Sequence, residues 1–219
     1  MRTSSAILLA CWFIAISAQA QGFKFSNPSP EAAAEAAGDA QRQATVSAQL
    51  ATPCRDRIRN RKIMVLIAEE KNGFMQASQG SFSRHVDAVN SRLRNLGLKT
   101  YTAAQIRKQI AQEEIDAYFR NDPDRALSAS RRMAAQYVLR GVIGSRAVVN
   151  PMVNVNQVSV SMNFTLSEAS GKPISTAAAT NESYAGSDTS GMALTLIEER
   201  VEQIVAKLYS DYCRNAGGR

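Results

Sequence analysis

The chain has few of the residue types on which most catalytic and metal sites depend. It contains one histidine, one tryptophan and three cysteines in 219 residues, and aromatic residues make up only 6%. Structural zinc sites need four Cys or His ligands at short, regular spacings, and no such spacing is present. The patterns Gly-x-Ser-x-Gly, Ser-x-x-Lys, His-Glu-x-x-His and the phosphate-binding loop are also absent. We therefore predict no metal and no cofactor, and we find no catalytic motif.

Long apolar runs are also missing, except near the start of the chain. After residue 20 no stretch approaches the roughly 18 apolar residues of a membrane-spanning helix. Residues 1–20 carry one charge, Arg2, followed by an apolar run and the small residues Ala18 and Ala20. This pattern is typical of a secretory signal cleaved before Gln21, so we expect an exported protein. The sequence Leu-Leu-Ala-Cys ending at Cys11 resembles a lipoprotein cleavage box, and lipidation of Cys11 stays open as an alternative.

Basic residues outnumber acidic ones. The 26 basic residues become 25 once Arg2 is removed, against 19 acidic residues, which gives a mature charge of +6. Such a balance suits contact with anionic envelope polymers, lipid head groups or an acidic partner; a soluble basic protein without such contacts is the simpler alternative. The most concentrated run contains Arg55, Arg57 and Arg59. These side chains are suited to binding phosphate or carboxylate groups, or to protecting a strand edge.

Composition divides the processed chain into three parts. Residues 21–52 are rich in Ala, Gln, Ser and Pro, which indicates a flexible or partly helical leader. Residues 53–213 are predicted to form a single α/β domain, and residues 214–219 a loose tail. Cys54 and Cys213 stand at the two ends of the predicted domain. An even pair of cysteines in an exported chain favours a disulfide between them.

The clearest structural signal is the alternation of apolar and polar residues over 158–167, which predicts a half-buried strand with helices packed on one face. Strand-like stretches at 137–149 and 174–184 complete an antiparallel meander. Residues 63–68 are continuously apolar and predict a strand buried on both faces. With the amphipathic helices between them, the order is β-α-β-α-α-β-β-β-α. The predicted fold class is thus α/β (α+β), a mixed sheet with helices on one face.

Two stretches carry a family resemblance. Residues 134–141, Ala-Ala-Gln-Tyr-Val-Leu-Arg-Gly, and the hairpin 160–175, with Glu-Ala-Ser-Gly-Lys-Pro-Ile at its turn, resemble a superfamily of envelope proteins with an anticodon-binding-like α/β fold. It includes the curli-secretion lipoprotein, the outer-membrane activator of penicillin-binding proteins, the flagellar ring middle domain and the N-terminal domain of the Tol propeller protein. The resemblance covers residues 63–208 and implies an accessory or scaffold role. The chain has no segment that matches the two long membrane-inserting hairpins of the curli channel, which disfavours a secretion pore.

The predicted partner-binding residues are Met152, Val153 and Val155, together with the three arginines of the basic run. Residues 150–156 connect two strands, and apolar side chains at a hairpin tip are unfavourable unless a partner covers them. There are two alternatives to partner binding. The strands can simply continue through these residues, or residues 142–166 can form a membrane hairpin, because about ten alternating residues span a bilayer.

An enzymatic alternative depends on few residues. His85 lies beside the apolar stripe of its helix and is the only histidine available as a general base. Glu113, Glu114 and Asp116 offer carboxylates for acid–base chemistry, although such a cluster is more typical of a solvated helix face. A secreted hydrolase is therefore the weakest of the functional hypotheses.

The leading hypothesis is a non-enzymatic periplasmic accessory protein, associated with the outer membrane, in the assembly or export of a cell-envelope structure. The alternative is an activator of a cell-wall synthase, a penicillin-binding protein. Expected partners are envelope proteins, including the peptidoglycan-synthesis or secretion machinery, and no nucleic acid. Homo-oligomer formation and peripheral membrane contact stay open.

Overall fold

A computed structural model describes residues 29–71, 74–77, 79–80, 83–120 and 122–216 of the chain. The predicted signal peptide, Cys11, the first eight residues of the leader and the last three residues of the tail lie outside this range. The chain divides into two compact units, Met1–Gly38 and Asp39–Arg219. The first unit is described only over the beginning of a helix, whereas the second contains the sheet.

The order of elements follows the predicted one from the first strand onward. The helices are α1 (Pro30–Leu50), α2 (Arg55–Ile58), α3 (Ser83–Asn95), α4 (Ala103–Gln109), α5 (Gln112–Phe119), α6 (Pro123–Met133) and α7 (Thr189–Ala216). The strands are β1 (Lys62–Lys71), β2 (Phe74–Gln76), β3 (Lys99–Thr100), β4 (Tyr137–Asn150), β5 (Val155–Glu168) and β6 (Pro173–Ala185). Helix α2, strand β2 and the division of one predicted helix into α4 and α5 are differences from the prediction. None of the described helices is long and apolar enough to cross a membrane.

The strands form one mixed sheet in the order β2-β1-β4-β5-β6. Strand β3 pairs with the start of β1, on the same edge of β1 that β2 pairs with near its end. Strands β1 and β4 run parallel, and β4, β5 and β6 form the predicted antiparallel meander. The alternation over residues 158–167 places one set of side chains in the core, namely Val158, Val160, Met162, Phe164 and Leu166. The mixed α/β class is confirmed.

Helices cover the two faces of the sheet unequally. On one face, Val65 and Ile67 of β1 share a core with β5, α3 and α7. On the other face, Met64 and Leu66 pack with α4, α5 and α6. The predicted helical layer on a single face therefore holds for β5 and β6, while β1 and the start of β4 carry helices on both faces. The reason is the uninterrupted apolar run in β1, which leaves neither of its faces suited to water.

The outer edge of β1 is completed by a side chain. The amide of Gln79, which is fully buried, accepts a hydrogen bond from the Ile67 N–H at 3.3 Å and donates one to the Ile67 carbonyl at 2.8 Å. It thereby takes the place that a neighbouring strand would occupy between β3 and β2. Since buried backbone polar groups need partners, Gln79 allows β1 to be buried without a continuous strand beside it.

The long amphipathic stretch between β3 and α6 forms two helices rather than one. Ile110 ends α4 with an extended backbone, φ −123° and ψ 128°. Helix α5 then begins at once, because the Glu114 carboxylate accepts a hydrogen bond from the Ala111 N–H at 3.1 Å. At the start of α4, Thr102 and Gln105 form a reciprocal capping box. Local capping therefore divides a stretch whose apolar spacing alone is compatible with a continuous helix.

The predicted disulfide is present in the structure. Cys54 and Cys213 are bonded, with their Cα atoms 5.6 Å apart and a separation of 159 positions in sequence. Both side chains are buried in the core that Val65 and Ile67 share with β5, α3 and α7, as is Ile58 of α2. The bond ties the segment that precedes β1 to the last turns of α7.

Candidate partner-binding surfaces

The β4–β5 hairpin extends beyond the rest of the sheet. Strand β1 pairs with β4 only as far as Glu70 and Gly144, whereas the pairing of β4 with β5 continues to Asn150 and Val155. Among the residues that the structure describes, 145–150 of β4 therefore have a neighbouring strand on one side only, and we call them the open edge. Alternate residues along such an edge direct their N–H and C=O groups outward, where another chain can pair with them.

Apolar side chains are concentrated around the open edge. Met152 is 92% exposed, Val149 59% and Val153 57%. Val148 and Val155 are also exposed, and Tyr184 of β6 lies close to them. We call Val148, Val149, Met152, Val153 and Val155 the apolar tip. Successive residues of a strand point to opposite faces, so the exposure of both Val148 and Val149 shows that neither face is covered here.

Two hydrogen bonds accepted by Asn150 stabilise the turn at the tip. The side-chain oxygen of Asn150 accepts a hydrogen bond from the Met152 N–H at 2.9 Å, and its carbonyl accepts one from the Asn154 N–H at 2.8 Å. Asn154 adopts φ 52°, a left-handed conformation that asparagine tolerates better than most residues. Met152 and Val153 are thus presented by an ordered turn, which lowers the entropic cost of binding a partner.

Met152, Val153 and Val155 were predicted from the sequence, whereas other exposed apolar residues were not. Val148 and Val149 were assigned to an ordinary strand, although two consecutive apolar residues in an alternating strand mean that one of them faces outward. Phe74 and Met75, 78% and 49% exposed, belong to β2, a strand that the sequence did not predict. In both places the missed signal was a pair of adjacent large apolar residues.

The predicted arginines lie at the other end of the sheet. Arg55 and Arg57 belong to α2, and Arg59 follows directly. Strand β1 begins just after them and pairs with the start of β4, Ile63 with Tyr137. The tip lies at the far end of β4, a strand of 14 residues. At about 3.3 Å per residue, the two sets are separated by roughly 40 Å. The predicted residues therefore form two separate surfaces.

The residues of the enzymatic alternative have structural contacts. The Glu114 carboxylate caps α5 and pairs with Arg132. Asp116 accepts a hydrogen bond from Gln112 at 2.8 Å. His85 lies half-buried in α3; burial lowers its pKa, and the charges of Glu69 and Glu198 only partly oppose this. These contacts give Glu114 and Asp116 roles in the fold.

The lowered pKa of His85 predicts a pH dependence of stability. Below its ordinary pKa of 6.5, the unfolded chain binds a proton more readily than the folded chain, so unfolding becomes easier as the pH falls. We expect His85→Gln to reduce the fall in the free energy of unfolding between pH 7 and pH 5. The measurement is the urea midpoint of both proteins across that range. Because the chain has one histidine, parallel midpoints for the two proteins would contradict the prediction.

The chain is similar to several solved bacterial structures. Lipoprotein GNA1162 from Neisseria meningitidis is 16% identical, with a TM-score of 0.47 and coverage of 65% of this chain and 96% of that chain. The PelC dodecamer subunit from Paraburkholderia phytofirmans is 18% identical, with a TM-score of 0.42 and coverage of 67% and 88%. The C-terminal domain of LpoB from Salmonella enterica is 18% identical, with a TM-score of 0.36 and coverage of 64% and 94%.

These similarities assign neither a partner nor an activity to this chain, because all three TM-scores lie below 0.5. The Neisseria protein is a lipoprotein, as is one member of the superfamily that the sequence resembles; membership of this chain stays a prediction. No protein-family model matches the sequence, and no curated protein matches it.

Proposed function

We propose that this protein is an exported, non-enzymatic accessory protein that binds another protein of the cell envelope through its apolar tip. The observation that supports the proposal is the exposure of Met152, Val149 and Val153 on an ordered hairpin. Soluble monomeric proteins seldom leave contiguous apolar groups uncovered without a functional reason. Here these groups also stand next to the open edge.

The open edge and the apolar tip favour the same kind of partner. Residues 145–150 offer backbone groups to an added strand, and the valines on either face offer apolar contacts to its side chains. Arg146 is the only charged residue in this segment, so the charges that usually protect an edge are largely absent. A partner that contributes an extended apolar segment would satisfy both features. The cell-wall synthase and the export machinery remain the partner classes implied by the family resemblance.

A photo-crosslinking experiment tests the proposal. Benzoylphenylalanine is placed at Val149 in the native host, with and without Met152→Ser and Val153→Ser. We expect an adduct with an envelope protein that falls at least tenfold when the two serines are present. Because both replaced side chains are exposed, the double variant should keep its free energy of unfolding within about 0.5 kcal/mol, as measured by urea unfolding.

The matched control places the crosslinker at Thr180, an exposed residue of β6 away from the tip. We expect no adduct with the same protein from this position. An adduct of equal yield at Thr180, or one unaffected by the two serines, would show that the tip does not carry the interaction.

A further inference from the structure

The end of the sheet opposite the tip carries a dense group of basic side chains. Within residues 55–62, Asp56 is the only carboxylate among five basic residues. Two more basic residues come from the end of α3 and from β3. All seven side chains are exposed, and we call them the basic end: Arg55, Arg57, Arg59, Arg61, Lys62, Arg94 and Lys99.

Backbone contacts bring the three segments of the basic end together. The Asn60 N–H donates to the Gly97 carbonyl at 2.9 Å, and the Lys99 N–H donates to the Arg61 carbonyl at 2.8 Å. Lys62 and Lys99 are register partners on neighbouring strands. Like charges placed side by side on adjacent strands repel each other and destabilise the sheet. The fold therefore holds these cations close together against their mutual repulsion.

The basic residues elsewhere in the chain provide a contrast. Lys207 and Arg214 both pair with Asp211. There, burial alone would raise the pKa of the Asp211 carboxyl, but hydrogen bonds from Lys207, Ser175 and Arg214 outweigh it and lower the pKa to about 2. Among the ion pairs within the described residues, none involves a residue of the basic end. The positive charges of the basic end are therefore available to bind an external anion.

The segment that carries α2 is anchored to the core. Ile58 of α2 is buried in the core, and Cys54 immediately before α2 is bonded to Cys213. The side chain of Arg61 donates to the Arg57 carbonyl at 3.3 Å. The backbone of α2 is therefore restrained by the disulfide and by the buried Ile58. Its exposed arginines project from this restrained backbone.

We propose that the basic end binds the head groups of an anionic phospholipid membrane. The groove beside α2 is lined by Arg55 and Arg57 but by none of the other five residues, so a single small anion would meet only a fraction of the charge. A surface of many phosphates can meet cations from all three segments of the basic end, each cation near it contributing to the attraction. This site is independent of what the tip binds. With the basic end on the membrane, the apolar tip would stand roughly 40 Å away from it.

The test is sedimentation of the mature chain with vesicles. The probes are pure phosphatidylcholine vesicles and vesicles containing 30% phosphatidylglycerol. We expect binding only to the anionic vesicles, and its loss in 0.5 M salt, where charges are screened over about 4 Å. Replacement of Arg55, Arg57 and Arg59 by Gln should weaken partitioning roughly 100-fold, since each cation at such a surface contributes about fivefold.

A second variant with the same change in net charge serves as the control. It replaces three exposed arginines outside the basic end, Arg84 in α3, Arg107 in α4 and Arg120 directly after α5, by Gln. We expect its partitioning to stay within roughly threefold of the wild type, because charges beyond a Debye length contribute little. Circular dichroism of both variants confirms that the fold is intact.

Three results would overturn the proposal. An equal loss in the control variant would show a general effect of net charge. Equal binding to pure phosphatidylcholine would point to insertion of the apolar tip. Displacement by 10 mM inorganic phosphate at constant ionic strength would indicate a site for a single small anion. A failure of the tip crosslinks leaves this result unaffected, so the two proposals can fail separately.

Discussion

Replacement of both Cys54 and Cys213 by alanine is expected to lower the free energy of unfolding by about 4 kcal/mol. The bond joins residues 159 positions apart, so its loss frees almost the whole domain in the unfolded state. Loop-entropy models give about 5 kcal/mol for a closure of this length, and measured losses in exported domains range over roughly 2 to 5 kcal/mol. Urea unfolding at pH 7 with and without reductant measures the effect.

Reduction of the wild-type protein provides the matched comparison. We expect the reduced wild type and the double variant to unfold at similar urea concentrations. Reductant should leave the double variant unchanged, because its two alanines cannot form the bond. Equal midpoints for the oxidised wild type and the double variant would show that the bond contributes nothing to stability.

Replacement of Gly141 by alanine is expected to destabilise the fold by about 3 kcal/mol, near the upper end of the cost of overpacking. Gly141 of β4 is the register partner of Phe164 on β5. A Cβ atom at residue 141 would lie 2.7 Å from Cζ and 2.9 Å from Cδ1 of the Phe164 ring. The ring is fully buried and packed on its other sides, so it cannot move away without disturbing the core. Thermal and urea unfolding measure the loss.

Two further variants make the Gly141 prediction specific. Gly186→Ala is the control, because no atom lies within 4 Å of the added Cβ, and it should change stability by less than about 0.5 kcal/mol. Combining Gly141→Ala with Phe164→Leu should cost at least about 1 kcal/mol less than the sum of the two single changes, since the smaller side chain relieves the clash. Strict additivity would mean that the ring is not the obstacle.

The two proposed surfaces would give the long hairpin a function, the separation of a membrane contact from a protein contact. The basic end lies where β1 starts, and the apolar tip lies where β4 turns into β5. A partner held by the tip would thus be bound at a distance from an anionic membrane rather than against it. The core between them, with the disulfide at one end and Phe164 over Gly141 in the middle, fixes that distance.

The sequence by itself determined most of the elements and, for β1 and β5, which side chains are buried. The alternation over residues 158–167 and the continuous apolar run of β1 are local patterns, and the structure has the elements that they predict. The disulfide was also predictable, because the expected removal of a signal that contains Cys11 would leave two cysteines, Cys54 and Cys213. Side-chain periodicity is set by backbone geometry within a few residues, which is why such patterns can be read directly.

Only the tertiary structure decided which features lie together. Where β1 stops pairing with β4 depends on long-range register, and this alone makes residues 145–150 an open edge and leaves Val148 and Val149 exposed. The same register places Arg55 and Met152, both predicted to contact a partner, at opposite ends of one sheet. Likewise, Arg94 and Lys99 join the arginines of α2 through backbone contacts between segments distant in sequence. Local propensity contains no information about such distances, because they are fixed by how strands and helices pack.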